Sequence, residues 1–168
     1  MSSEATTQPL PIFVYGTLMI GQPNDYMWQE TVRSFEAAFI IDHCLYDLGY
    51  FPMMIENPGR KVVGQLVRLE KHRFSQIIQN LDFLEGFDPD HPQGSDFRRV
   101  QLQASSPTGD KIVAWTYVGN ETRVQTLPVV QCGDWAKHVA ERDEFIAELW
   151  QEIRTVLDDA QRPDDSMR

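Results

Sequence analysis

The run Ile12-Phe13-Val14-Tyr15-Gly16-Thr17-Leu18 constrains this chain more than any other stretch. Residues 12–15 are apolar, β-branched or aromatic and read as a buried strand, which runs straight into a tight Tyr-Gly-Thr turn. A corner of this kind aims several backbone N–H groups into one small space. Glycine lets the chain pass close to a ligand, and the threonine hydroxyl adds a donor. The turn therefore reads as a cradle for a small, carboxylate-bearing molecule. Tight corners with Gly also occur as plain turns in many folds, so the residues by themselves leave both readings open. A phosphate cradle is disfavoured, because neither G-x-x-x-x-G-K nor G-x-G-x-x-G is present.

Beyond that strand, the chain has the length and pattern of one domain. The 168 residues, 42% of them hydrophobic, suffice for a single core. Residues 1–11, ending in Pro9 and Pro11, read as a leader, 12–160 as the domain, and 161–168 as a frayed tail. Gly21-Gln22-Pro23-Asn24 is a turn, with Asn24 or Asp25 capping a short helix over 26–32. Residues 34–46 read as a long strand, 47–52 as a turn and 53–56 as a short strand. Asn57-Pro58-Gly59 has the composition of a hairpin turn. Residues 62–69 then return as a strand, with Gly64 marking a bulge or a close approach. Two further strands, 97–104 and 111–118, form a hairpin. Asp134 is a good N-cap for a long helix to about residue 159. Its stripe of Trp135, Val139, Phe145, Ile146, Leu149, Ile153, Val156 and Leu157 reads as core packing. The sum is α+β: a mainly antiparallel sheet or small barrel with helices around it.

One residue in this pattern stands out chemically. Residues 71–85 read as a helix whose Phe74, Ile77, Ile78, Leu81 and Leu84 share one face, with Gly86 as the stop. Glu85, seven residues after Ile78 and four after Leu81, falls on that face. A carboxyl group turned inward loses solvation, which raises its pKa, and the negative end of the helix dipole acts in the same direction. That is what a general acid/base near neutral pH needs. Asp82, at the edge of the face, reads as solvated. The plain alternative, Glu85 fraying outward at the helix end, stands level on the residues alone.

Other chemistry is weaker. His43, His72, His91 and His138 are scattered without metal-ligand spacing, and Asp88, Asp90 and His91 read as a solvated loop. No serine lies in a G-x-S-x-G elbow. Cys44 and Cys132 are too few for a disulfide framework, and Cys44 reads as a small core hydrophobe. With 15 basic against 25 acidic residues, net charge −10, the chain is a poor partner for nucleic acid or an anionic membrane. No run approaches the roughly 20 apolar residues of a membrane span, and no signal-peptide pattern opens the chain. A soluble, cytoplasmic protein is expected.

The motifs taken in order carry more than any one of them. Phe13-Val14-Tyr15-Gly16-Thr17-Leu18 followed by Gly21-Gln22-Pro23-Asn24 resembles the signature of the gamma-glutamylcyclotransferase-like superfamily, and most of all its gamma-glutamylaminecyclotransferase-like bacterial members. The resemblance continues through residues 45–52, Val63-Gly64-Gln65-Leu66, Leu81-Asp82-Phe83-Leu84-Glu85-Gly86, the strand around Arg99, and Ala114-Trp115-Thr116-Tyr117-Val118. It spans about residues 12–118. It implies a small, mainly antiparallel β-barrel with flanking helices and a cavity at one end. It implies further that Tyr15, Gly16, Thr17, Leu18 and Tyr117 bind a small γ-glutamyl substrate, that Glu85 is the catalytic acid/base, and that no metal or cofactor is needed. The expected products are 5-oxoproline and a free amine or amino acid. Phe97 departs from the pattern, standing where a tyrosine is common, so any role of that hydroxyl is absent here. Two other readings remain beside the enzyme: a non-catalytic member that keeps the cavity as a binding or regulatory module, and a homodimer assembled through the C-terminal helix.

Overall fold

The computed structural model describes residues 8–28 and 30–161, so most of the expected leader and nearly all of the expected tail lie outside the described residues. Five strands close a barrel: β1 (Ile12–Val14), β2 (Val32–Asp47), β3 (Pro52–Leu69), β4 (Phe97–Ser105) and β5 (Lys111–Gly119), in the spatial order β1-β3-β2-β4-β5. β1 pairs antiparallel with β3, and its Ile12 closes the barrel parallel to Trp115 of β5. All other pairings are antiparallel. The mixed barrel of the α+β class is therefore as anticipated. Its inward-facing residues are apolar, and Ile12, Phe13, Ile40, Leu45, Val62, Leu66, Val67, Ala104 and Ala114 are all buried. That burial closes the barrel around a single hydrophobic core. The end of the expected leader joins in: Pro11 is buried, and its carbonyl accepts the Trp115 N–H at 2.9 Å.

Two sequence expectations are corrected. The helix expected over 26–32 is only a 3-10 turn, Asp25–Trp28, and Val32 already opens β2. The Trp28 ring holds this segment against the first loop, donating from Nε1 to the Leu18 carbonyl at 2.8 Å. Nor is Asn57-Pro58-Gly59 a hairpin turn. β3 runs unbroken through it, and the β2–β3 hairpin closes at residues 48–51, within the turn read over 47–52. The irregularity is in the ladder, where between the pairs Ile41–Lys61 and His43–Glu56 a single β2 residue, Asp42, faces residues 57–60 of β3. Asp42 adopts φ +58° and accepts the Gly59 N–H at 2.9 Å. The Pro-Gly pair thus lies in the bulged stretch of β3 itself, which bends the strand without ending it.

The first of the two helices is α1 (Phe74–Leu84), entered through a 3-10 turn at Lys71–Arg73. Ile77, Ile78 and Leu81 are buried as the spacing predicts. Its end is set by Gly86 at φ +66°, with Gly86 N–H bonded to the Phe83 carbonyl and Phe87 N–H to that of Asp82. This is a Schellman ending, which glycine allows and a side chain resists. It makes Glu85 the C-cap residue. The second helix, α2 (Trp135–Ala160), starts where the capping pattern placed it. The chain divides after Trp135 into two compact units. Of the stripe expected to be core, only Trp135 is fully buried, whereas Phe145, Ile146, Leu149, Ile153, Val156 and Leu157 are exposed. No described helix is long and apolar enough to cross a membrane.

Candidate active site

At one end of the barrel, β1 delivers its terminal loop to a cavity of about 420 Å³. Tyr15, Gly16, Thr17, Leu18, Glu85 and Tyr117 all line it, so the six residues singled out in the sequence share one space. Two features fix the loop. Gly16 passes so close to β3 that an added Cβ would lie 2.7 Å from Pro52 Cγ. Thr17 is clasped by Asn24, whose backbone N–H bonds to the Thr17 carbonyl at 2.8 Å and whose Nδ2 bonds to Thr17 Oγ1 at 2.9 Å. Since that oxygen accepts from Asn24, the Thr17 proton is left for another acceptor.

Glu85 enters from the end of α1 and does not fray into solvent. The residue is half-buried and lines the cavity, and burial of the carboxyl pushes its pKa from 4.5 up to about 7. Loss of solvation on burial is the cause of the rise. Two phenols stand near this carboxyl. Burial raises the pKa of Tyr15 well above the tyrosine norm, and the charge of Glu85 adds to it. Tyr117 is raised as well, first by burial, then by its hydrogen bond to Asp82. Both phenols therefore keep their protons at neutral pH. The Tyr15 hydroxyl gives its proton to the Tyr117 carbonyl at 2.7 Å, and the Tyr117 hydroxyl gives its own to Asp82 Oδ1 at 2.7 Å.

Asp82 is a correction. The sequence read it as solvated, but it is buried and takes Arg99 Nε on Oδ1 at 2.9 Å and a terminal guanidinium nitrogen on Oδ2 at 3.3 Å. Asn24, Phe51, Pro52, Asp96 and Phe97 also line the cavity and were not singled out as its walls. The Gly-Gln-Pro-Asn motif held the signal for Asn24, as did the Tyr-Phe-Pro motif for Phe51 and Pro52. Phe97 packs against Phe51, with ring centroids 6.1 Å apart, so an apolar wall stands where a tyrosine hydroxyl was absent from the sequence. Among the lining residues the ionisable side chains besides the two phenols are Glu85 and Asp96, and no cation faces in. The space therefore suits a positively charged group near Glu85.

The Glu85 environment predicts a stability effect with a definite sign. Its folded-state pKa lies above the unfolded one, so the folded chain holds the proton more tightly. Stability contributed this way is present below about pH 4.5 and lost as pH rises through 7. Glu85→Gln cannot ionise, so it should match the wild type at pH 4 and be more stable at pH 8, by up to about 3 kcal/mol. Thermal unfolding at the two pH values checks this.

Comparisons with other proteins agree with this architecture. The family model described as gamma-glutamyl cyclotransferase, AIG2-like, matches residues 12–137. A curated Vibrio cholerae protein named "Putative gamma-glutamylcyclotransferase" is 32% identical over 129 residues, covering 76% of this chain and 96% of its own. Among solved structures, an AIG2-like protein of Mus musculus superposes with a TM-score of 0.55 at 22% identity, over 73% of this chain and 86% of that one. YkqA of Bacillus subtilis gives a TM-score of 0.61 at 19% identity over 80% of this chain, which spans only 42% of that longer protein. At these identities the two structures speak to the fold alone.

Proposed function

This chain belongs to the gamma-glutamyl cyclotransferase, AIG2-like family, and from that premise we propose that it converts a γ-glutamyl compound into 5-oxoproline and a free amine or amino acid, with Glu85 as acid/base. The observation that carries the reading is a carboxyl group with a pKa of about 7 in the same cavity as the Tyr15–Leu18 loop. A group titrating there holds and releases a proton at little cost near neutral pH.

The reaction can be built from these residues. The substrate's α-ammonium enters a space whose ionised groups are acidic. Glu85 takes one of its protons, and the freed nitrogen lone pair attacks the γ-carbonyl carbon. A C–N bond forms and closes a five-membered ring, while the carbonyl electrons move onto oxygen. Backbone N–H groups of the Tyr15–Leu18 loop and the Thr17 hydroxyl are the donors for that oxyanion or for the α-carboxylate. The oxyanion collapses, the old C–N bond breaks, and Glu85 returns a proton to the departing amine and takes the second proton from the ring nitrogen, which leaves the neutral lactam. Because the attack is intramolecular, holding the chain folded supplies much of the rate, and effective molarities of about 10⁵ M or more are known for well-oriented ring closures. None of these steps calls on a metal or an organic cofactor.

The test is incubation with a panel of γ-glutamyl amino acids and γ-glutamyl amines, scored by 5-oxoproline release. Turnover of at least one panel member is expected. An inactive protein across both classes would mean that the cavity binds without catalysing.

A further inference from the structure

Behind the cavity wall lies a charged pair that the proposed reaction does not use. Asp82 and Arg99 are almost out of solvent, with their side chains 9% and 18% exposed. The guanidinium also covers the Trp115 ring, 4.6 Å from its centroid. A buried ion pair is not a cheap way to stabilise a barrel, since apolar residues of similar volume often do as well or better. Neither residue lines the cavity. Both, however, act on groups that do. Asp82 accepts the only proton of Tyr117, so that toward Glu85 the phenol oxygen has lone pairs alone to offer. Tyr15 is in the same condition, its proton committed to the Tyr117 carbonyl. Asp82 also accepts Phe87 N–H through its main chain, in the Schellman ending that sets Glu85 as the helix cap.

We propose that Asp82 and Arg99 are a positioning pair, which fixes the Tyr117 hydroxyl as an acceptor beside Glu85 and keeps the charge around Glu85 balanced while it exchanges a proton with the substrate's ammonium group. The proposal rests on Glu85 being the acid/base. The Tyr117 oxygen, with lone pairs alone to offer, and the Glu85 carboxylate form a surface that matches an ammonium donor, and the Tyr15 hydroxyl turns no proton toward it. A hydroxyl free to rotate would present its own proton to that ammonium for part of the time. Asp82 removes this alternative, and Arg99 cancels the negative charge that Asp82 brings.

Among the described residues, the titratable groups that share the cavity with Glu85 are Tyr15 after β1, Tyr117 on β5 and Asp96, which is held by Arg123 at 3.3 Å; outside the cavity, one turn back on α1, stands Asp82 with Arg99 of β4. Breaking the pair from its two ends should therefore move the Glu85 titration in opposite directions. Asp82→Asn leaves the Arg99 cation uncancelled and favours the carboxylate, so the midpoint falls. Arg99→Gln leaves the Asp82 anion uncancelled and disfavours it, so the midpoint rises. Each change should alter the ratio of protonated to ionised Glu85 by about tenfold at a given pH. The double variant should return close to the wild type, and Arg99→Lys, which keeps the charge, should shift it little.

The measurement is the ¹³C carboxyl titration of labelled glutamate side chains in the full chain, with the Glu85 signal assigned by its loss in Glu85→Gln. Opposite shifts from Asp82→Asn and Arg99→Gln, with a parallel displacement of the acid limb of the kcat/KM profile, are the expected result. Unmoved midpoints, or midpoints moving the same way, would overturn the proposal even if both variants lose activity. Should Asp82→Asn fail to fold, Arg99→Gln decides alone: an upward shift is required. Opposite NMR shifts in a protein that turns over nothing would leave the pair intact and defeat the enzymatic reading instead.

Discussion

Glutamine at position 85 is expected to lower kcat on the preferred γ-glutamyl substrate by about 10²–10⁴-fold, the usual worth of a positioned acid/base. KM should change much less, because the isosteric amide keeps the shape of the cavity while losing the capacity to accept a proton. The pH profile gives the sharper test. In the wild type, kcat/KM should rise with pH to a midpoint near 7, where the Glu85 carboxyl ionises. That limb should be missing from the residual activity of Glu85→Gln. The same variant is expected to be the more stable protein at pH 8. Loss of rate together with gain of stability cannot be ascribed to misfolding, and it is the pattern of a site that trades stability for activity. A variant that turns over like the wild type would remove Glu85 from the mechanism.

How far the sequence foretold this site can be seen in the contrast between Glu85 and Asp82, three residues apart on one helix. The face on which Glu85 falls was legible because helical periodicity reports which way a side chain points, whereas its place at the helix end left inward and frayed positions level. The β1 loop was legible for a similar reason: strand, glycine and hydroxyl are contiguous. Asp82 was misread because periodicity carries no information about what a charged residue meets on arriving inside. A buried carboxylate requires a partner, and here the partners Arg99 and Tyr117 come from β4 and β5, many residues further along. Only the closed barrel brings them to α1.

The fold shows the same division. The β4–β5 hairpin, the long strand β2 and the start of α2 arise from local pattern, and the structure has them within a few residues of where the pattern put them. Asn57-Pro58-Gly59 misled because turn-forming residues are also what a bulge uses, and local composition does not distinguish the two. The Trp135-to-Leu157 stripe shows a further limit. Amphipathic spacing establishes that one face of α2 is apolar, but it does not say what, if anything, covers that face. The exposed residues from Phe145 onward make the distinction concrete.

Gly64 supplies the second large effect, and it ties the barrel to the site. This residue lies buried in β3, paired with Ala38 of β2. An added Cβ would collide with the carbonyl oxygen of Val14, the last residue of β1, and would also lie 2.8 Å from Phe13 Cζ. The Phe13 ring has little room to give, being itself 1% exposed in the core. The carbonyl belongs to backbone, so no rotamer change relieves the contact, and the strands must separate. Overpacking of this kind costs about 1–3 kcal/mol where side chains alone adjust, and a backbone clash belongs at or above the upper figure. For a chain of this size that corresponds to a fall in Tm of about 6–12 °C. Gly64→Ala is therefore expected to be strongly destabilised. Gly94→Ala, where a Cβ meets nothing within 4 Å, should stay close to the wild type in the same thermal unfolding experiment. Activity should fall beyond what the unfolded fraction explains, because Val14 directly precedes Tyr15, and a displaced β1 carries the substrate loop away from Glu85. A Gly64→Ala protein with wild-type Tm would show that β1 and β3 are not as close as this packing requires.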